Sequence, residues 1–98
     1  MDNLIKKYQK QIEQICREDG ISYLALFGSQ ARDDARPDSD VDLLVKYNKP
    51  VGFFELYDSQ EKFEKIFRKK IDLVTVNGLK KQLTPYIQAN LKVLYAHT

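Results

Sequence analysis

The sequence predicts an α/β (α+β) fold, a small mixed sheet with helices packed on it. Three observations carry that prediction: short apolar runs that end at turn residues, amphipathic stretches at helical spacing between them, and the alternation of the two along the chain. At 98 residues the chain has the size of one ordinary domain, so a single domain over residues 1–98 is expected.

Residues 2–19 place Ile5, Tyr8, Ile12, Ile15 and Cys16 at three- and four-residue steps, with Lys, Gln and Glu between them. This predicts an amphipathic helix, closed by Gly20. Residues 22–27 form a short apolar, aromatic-rich run stopped by Gly28-Ser29, which predicts a buried strand. Ser29 fits the N-cap of a short helix expected over residues 30–34, and Pro37 keeps residues 36–39 irregular.

Residues 40–46 are apolar except at their start, which predicts a strand whose far end is buried and whose near end carries Asp40 and Asp42. After a loop punctuated by Asn48, Pro50 and Gly52, residues 53–69 predict a long helix. Its apolar stripe is drawn through Phe53, Leu56, Tyr57, Phe63, Ile66 and Phe67, and the aromatic residues are expected in the core. A third strand is expected over residues 71–76, stopped by Asn77-Gly78, and Thr84-Pro85 starts a helix over residues 85–90. Residues 91–95 extend that helix or form a short edge strand.

Composition narrows the function. Sixteen basic and 14 acidic residues leave a net charge of +2, too weak and too mixed to imply nucleic-acid binding by electrostatics alone. The basic cluster at Lys62, Lys65, Arg68, Lys69 and Lys70, and the pair Lys80 and Lys81, fit solvated helix faces and ends. The single cysteine, Cys16, fits a small core residue in a reducing compartment. With no apolar leader segment and no run long enough to span a bilayer, a cytoplasmic protein is expected.

The chemistry gathers at the strand ends. Alternation puts residues two apart on one face, so Asp40 and Asp42 project side by side about 6.5–7 Å apart. Two adjacent carboxylates repel, and a divalent cation relieves them; magnesium held by one or two carboxylates and substrate phosphates is the usual case. If Asp72 lies on a neighbouring strand, a third carboxylate converges, enough to hold two ions about 3.5–4 Å apart. Gly28 lets a phosphate approach the backbone, Ser29 adds a hydroxyl at a helix start, and Arg32 offers its fork of donors one turn on. Asp38, Asp40 and Asp42 also fit the start of a calcium loop, but Leu43 and Lys49 stand where that loop needs Gly and Glu. Asp38 fits a turn residue beside Pro37, and His97 lies too near the terminus to suggest a site role.

The segments Leu26-Phe27-Gly28-Ser29-Gln30-Ala31-Arg32, Pro37-Asp38-Ser39-Asp40-Val41-Asp42-Leu43-Leu44-Val45 and Ile71-Asp72-Leu73-Val74 together resemble the DNA polymerase beta-type nucleotidyltransferase superfamily. Within it they are similar to the minimal nucleotidyltransferases of prokaryotes, the antitoxin partners of HEPN-domain toxins. The resemblance implies a polymerase beta palm-like fold, with Gly28 and Ser29 on the triphosphate of ATP, Asp40 and Asp42 on two Mg2+ ions, and Asp72 completing one metal site and helping deprotonate the acceptor hydroxyl. It also implies that residues 91–95 are a short terminal strand, and that the acceptor is a tyrosine of a HEPN-domain toxin, which receives AMP and is neutralised. One departure stands out: Asp33-Asp34 follow Arg32 where the family commonly has Gly. Their charge beside a phosphate site favours an alternative, an antitoxin with little turnover that acts by forming a complex.

Overall fold

A computed structural model of the chain describes residues 2–28, 40–76 and 91–97. The elements run α1 (Asp2–Lys7), α2 (Gln9–Asp19), β1 (Ile21–Phe27), β2 (Val41–Tyr47), α3 (Phe53–Phe67), β3 (Ile71–Thr75) and β4 (Lys92–Ala96). The four strands form one mixed sheet in the order β3-β2-β1-β4, with β2 and β3 parallel and the other pairs antiparallel. The expected α/β architecture is therefore the observed one. The expected helices over residues 30–34 and 85–90, the irregular stretch over residues 36–39, and Lys80 and Lys81 lie outside the described residues.

Several boundaries differ from expectation, each for a local reason. The first helix is broken at Tyr8, whose backbone (φ −109, ψ 19) leaves the helical region; the Lys7 ammonium lies 5.3 Å from the centre of its ring. Gly20 closes α2 as expected, in the left-handed conformation (φ 72) with its N–H donating to the Cys16 carbonyl. At the other long helix, Arg68 takes the left-handed cap (φ 54) and donates its N–H to the Glu64 carbonyl. That ends α3 at Phe67, short of Lys69. Gly52 precedes α3, and its N–H donates to Glu55 Oε2 at 2.9 Å, the half of a capping box that a glycine can make.

The C-terminal segment is a strand, not a continuation of helix, because it finds the free edge of β1: Leu26 faces Lys92 and Leu24 faces Tyr95. Likewise β2 begins at Val41, which donates its N–H to the Lys70 carbonyl at 2.9 Å, so Asp40 stands just before the strand instead of inside it.

The helices cover one face of the sheet. Ile12, Ile15 and Cys16 of α2 and Phe63 and Phe67 of α3 pack with Val41, Leu43 and Val45, odd-numbered residues of β2, and the half-buried Tyr47 packs against the same core. Cys16 is fully buried there, as expected of a core residue. The even-numbered residues of β2 alternate to the opposite face, among them Asp42 and Leu44, and Leu44 is buried there as well.

The apolar stripe of α3 is narrower than the sequence suggests. Phe53, Phe54 and Tyr57 are 79%, 91% and 63% exposed, whereas Phe63 and the polar Ser59 are fully buried. The expectation that these aromatic residues line the core is therefore wrong at Phe53, Phe54 and Tyr57. Ser59 takes an inward position because it has polar partners. It donates to Asp19 Oδ2 at 2.7 Å and accepts from the Tyr47 hydroxyl at 2.9 Å, while Lys62 donates to Asp19 Oδ1 at 2.6 Å. This chain ties the end of β2, the middle of α3 and the end of α2 together.

Candidate functional site

Parallel pairing of β2 and β3 sets Val41 against Ile71, Asp42 against Asp72 and Leu43 against Leu73. Residues directly opposite in a ladder share a face, so the two carboxylates project together from the face that α2 and α3 leave uncovered. The register is held from outside the ladder too. Glu64 of α3 accepts a hydrogen bond from the Ile71 N–H at 3.2 Å, fixing the residue immediately before Asp72.

On its other side Asp42 faces Phe27, the last residue of β1. The next residue, Gly28, turns out of the strand with φ 76, a conformation that side chains rarely adopt. A Cβ at Gly28 would overlap Asp42 Oδ2 and lie 3.3 Å from its Cγ. The glycine backbone and the carboxylate therefore occupy adjoining space at one end of the sheet.

The electrostatics follow from this crowding. Burial, first, and then the charges of Asp72 and Asp40 push the Asp42 carboxyl above its ordinary value of 3.8. A cation between these carboxylates would offset the repulsion that raises Asp42.

Asp42 is half-buried while Asp40 and Asp72 are exposed. Among the described residues no three acidic, histidine or cysteine side chains are gathered closely enough to form a ready-made metal cage. An all-oxygen set of converging but incomplete carboxylates fits a hard divalent ion such as magnesium, which keeps waters and takes substrate phosphates as further ligands.

Of the residues expected to act, Asp42, Asp72 and Gly28 are brought together, and Asp40 is close enough to act on Asp42 through its charge. Ser29 and Arg32 lie outside the described residues, as do Asp33-Asp34 and Asp38. His97 is exposed; its N–H donates to the Ser22 carbonyl, far along β1 from Gly28. Glu64 was not among the expected residues. The only signal for it in the sequence is an acidic residue seven positions before the third strand, which is not distinctive.

A mixed sheet with helices on one face and paired carboxylates at the strand ends defines a nucleotidyltransferase-type fold. Comparison with known proteins places the chain within that class. Residues 10–98 match the family described as Polymerase beta, Nucleotidyltransferase, and the chain belongs to that family. It is an enzyme of the nucleotidyl-transfer class, whose members act on nucleoside triphosphates with a divalent metal.

Among its relatives, the protein adenylyltransferase MntA of Thermococcus cleftensis is 26% identical over 80 residues, which cover 82% of this chain and 78% of that protein. The fold is shared with a toxin–antitoxin structure containing AMP-PNP, at a TM-score of 0.76 and 18% identity over 92% of this chain and 74% of that one. It is also shared with an MNT antitoxin in complex with the tri-AMPylated HEPN toxin of Shewanella oneidensis, at a TM-score of 0.70 and 17% identity over 94% of this chain and 72% of that one.

Proposed function

We propose that this chain transfers AMP from magnesium-bound ATP onto a hydroxyl, a tyrosine of a HEPN-domain toxin, and so acts as that toxin's antitoxin in the cytoplasm. The observation that carries the proposal is the register of Asp42 against Asp72, with Gly28 making room beside them. The names of its relatives, a protein adenylyltransferase among them, support the choice of adenylate and of a protein acceptor. Among the described residues no helix is long and apolar enough to cross a membrane.

Asp40, Asp42 and Asp72 would hold magnesium, up to two ions, which when bound screens the phosphate charge and lowers the pKa of an attacking hydroxyl. The residues themselves do the rest. Asp42, lying between β1 and β3, orients the site toward both the triphosphate and the acceptor. Asp72, exposed at the start of β3, would accept the proton of the attacking hydroxyl. Gly28, with no side chain of its own beside Asp42, would let the triphosphate approach its backbone, with Ser29 and Arg32 as further phosphate contacts. Attack on the α-phosphorus forms the new P–O bond as the bond to pyrophosphate breaks.

Asp33-Asp34, two negative charges following Arg32, favour a second possibility, in which the chain neutralises its toxin by forming a complex with little turnover. One experiment separates them. Purified protein is incubated with magnesium, α-labelled ATP and the product of the adjacent gene, beside an Asp40→Asn/Asp42→Asn variant. Label on the partner that disappears in the variant supports transfer. Rescue from toxicity by the variant, with no label on the partner in either reaction, excludes it.

A further inference from the structure

One peptide unit joins the three aspartates to α3. Val41 donates its N–H to the Lys70 carbonyl at 2.9 Å, and the N–H of that same Lys70–Ile71 peptide is donated to Glu64 Oε2 at 3.2 Å. A trans peptide points its C=O and N–H in opposite directions, so the carbonyl faces β2 and the N–H faces away from it. On that side β3 is the last strand of the described sheet, and Ile71 is fully buried. A buried N–H needs an acceptor, and among the described residues Glu64 supplies it. The unit also stands where all three carboxylates meet the backbone: Val41 lies between Asp40 and Asp42, and Ile71 directly precedes Asp72. A carboxylate that accepts from one end of a peptide polarises it and strengthens the carbonyl at the other end, so Glu64 supports the Val41 bond as well.

Glu64 stands in the last turn of α3, where the helix dipole favours cations, so its carboxylate is locally unfavourable there. The bond to Ile71 offsets that cost. Its backbone holds the other end of the same link, since Arg68, in the left-handed conformation, donates its N–H to the Glu64 carbonyl at 2.8 Å. Three residues, Arg68, Lys69 and Lys70, separate α3 from β3, and Glu64 fixes the turn at both ends. It is not placed as a further metal ligand. Ile71 packs in the core with α2 and α3, whereas Asp72, next along the strand, projects from the opposite face beside Asp42. Glu64 comes to β3 from the helix side, and the charges that raise Asp42 are those of Asp72 and Asp40.

We propose that Glu64 is a positioning residue for nucleotidyl transfer: by capping the outward N–H of the Lys70–Ile71 peptide, it sets where Asp72 stands against Asp42 and Asp40. The inference rests on the reading above that these aspartates hold magnesium and carry the transfer. Glu64 touches neither nucleotide nor metal. It acts through one peptide, and what it must supply is reach and an acceptor, not a charge or a proton. Groups that orient metal-binding side chains from behind act in this way, and their loss is felt at the metal although they never contact it.

The test compares wild type with Glu64→Gln, Glu64→Asp and Glu64→Ala, and with Ser59→Ala, which weakens the fold from the same helix without touching this peptide. Three quantities are read where each protein is folded: amide exchange at Ile71, magnesium–ATP binding by calorimetry, and transfer of label from α-labelled ATP to the product of the adjacent gene. Glu64→Gln keeps an acceptor at the same reach and is expected to match wild type in all three. Glu64→Asp keeps the charge but falls one methylene short. It and Glu64→Ala are expected to exchange Ile71 faster and to lose about ten- to hundredfold in magnesium–ATP affinity and in kcat, with KM for the partner unchanged. Ser59→Ala is expected to keep its kcat. If Glu64→Ala does not fold, the contrast between Gln and Asp decides in its place. Wild-type protection of Ile71 and wild-type magnesium–ATP binding in Glu64→Asp overturn the proposal. So does a Glu64→Gln variant that protects Ile71 but loses kcat, since Glu64 would then act by its charge, and so does an equal loss in Ser59→Ala, since any weakening of α3 would then suffice. A wild type that transfers no label removes the transfer reaction instead, while exchange and magnesium–ATP binding across the same variants still decide the role of Glu64.

Discussion

Gly28 leaves empty the space that the Asp42 carboxylate fills. Its Cα turns with φ 76 directly after β1, and a Cβ built there would overlap Asp42 Oδ2. Two constraints therefore meet in one residue: a left-handed backbone that favours glycine, and an approach too close for any side chain. The backbone of Asp42 is fixed by the ladder on both sides, against Phe27 and Asp72, so a methyl group at Gly28 is admitted only if the carboxylate turns away from its present position.

Gly28→Ala is accordingly expected to damage the site more than the fold. The left-handed conformation should cost about 1–2 kcal/mol of stability, read by urea denaturation. Displacement of Asp42 should lower adenylate transfer by about a hundredfold or more, since catalytic geometry tolerates little misplacement. A variant that loses stability but keeps its transfer rate would show that the carboxylate has room to move.

Ser59 is expected to matter well beyond its size. It is fully buried on α3 and bridges the Tyr47 hydroxyl to Asp19, which Lys62 also holds. Burial also pushes the Tyr47 phenol above its ordinary value, so it stays a hydroxyl and keeps donating. Ser59→Ala would strand one donor and one acceptor in the interior, at a cost of about 1–3 kcal/mol. Chemical denaturation of the variant, and of Ser59→Ala paired with Tyr47→Phe, measures this. If the Tyr47 hydroxyl is the stranded group, the second substitution recovers part of the loss.

Cys16 is expected to be inert in the folded chain. Burial, with smaller contributions from Asp19 and Glu13, pushes its thiol from 9.0 up to about 12. Between those values the unfolded chain has lost the thiol proton while the folded chain keeps it. The folded state then binds more protons, and the stability associated with Cys16 falls as pH rises from about 9 to about 12. At neutral pH a thiol reagent should modify Cys16 only at the rate of opening, and at once in denaturant. Rapid modification of the native protein would contradict the packing of α2 against the sheet.

How far the sequence discloses this molecule can be judged at α3 and β2. The strands are legible because Leu43, Leu44 and Val45 make a continuous apolar run and Asp40 and Asp42 mark its polar end, a contrast that survives any tertiary arrangement. Register is not legible. Nothing in residues 71–76 states that Asp72 pairs with Asp42 instead of sliding two residues, because pairing depends on the Val41–Lys70 and Glu64–Ile71 bonds formed only in the fold. On α3 the helical period is clear but its phase is misjudged. A polar Ser59 faces inward with partners from two other elements, while Phe53 and Tyr57 are rotated about a sixth and about a quarter of a turn from the face that Phe63 and Phe67 bury.

That phase makes a prediction within one helix. Phe63 is fully buried and Phe54 is 91% exposed. Phe63→Ala should destabilise the chain by about 3–5 kcal/mol, the cost of a lost core aromatic and the cavity it leaves. Phe54→Ala should change stability by no more than about 0.5 kcal/mol. Thermal or urea unfolding of the two variants side by side decides it, and comparable losses would mean that the N-terminal turns of α3 are covered.

Asp42 is pushed above its ordinary value by burial and then by Asp72 and Asp40, so its ionised form strains the metal-free fold. The sign follows: as pH rises above the ordinary value of 3.8 and through the raised one, the unfolded chain gives up the Asp42 proton first, and the stability associated with Asp42 falls. Asp42→Asn removes that charge. The metal-free variant should be at least as stable as wild type at neutral pH, while adenylate transfer is abolished. Magnesium–ATP at a hundred times its Kd should stabilise wild type by about 2.7 kcal/mol and the variant far less. Thermal unfolding with and without magnesium–ATP, followed by chelation with EDTA, measures each arm. A variant stabilised as much as wild type would mean that Asp42 is not a ligand, and that the crowding of Asp40, Asp42 and Asp72 serves some other purpose.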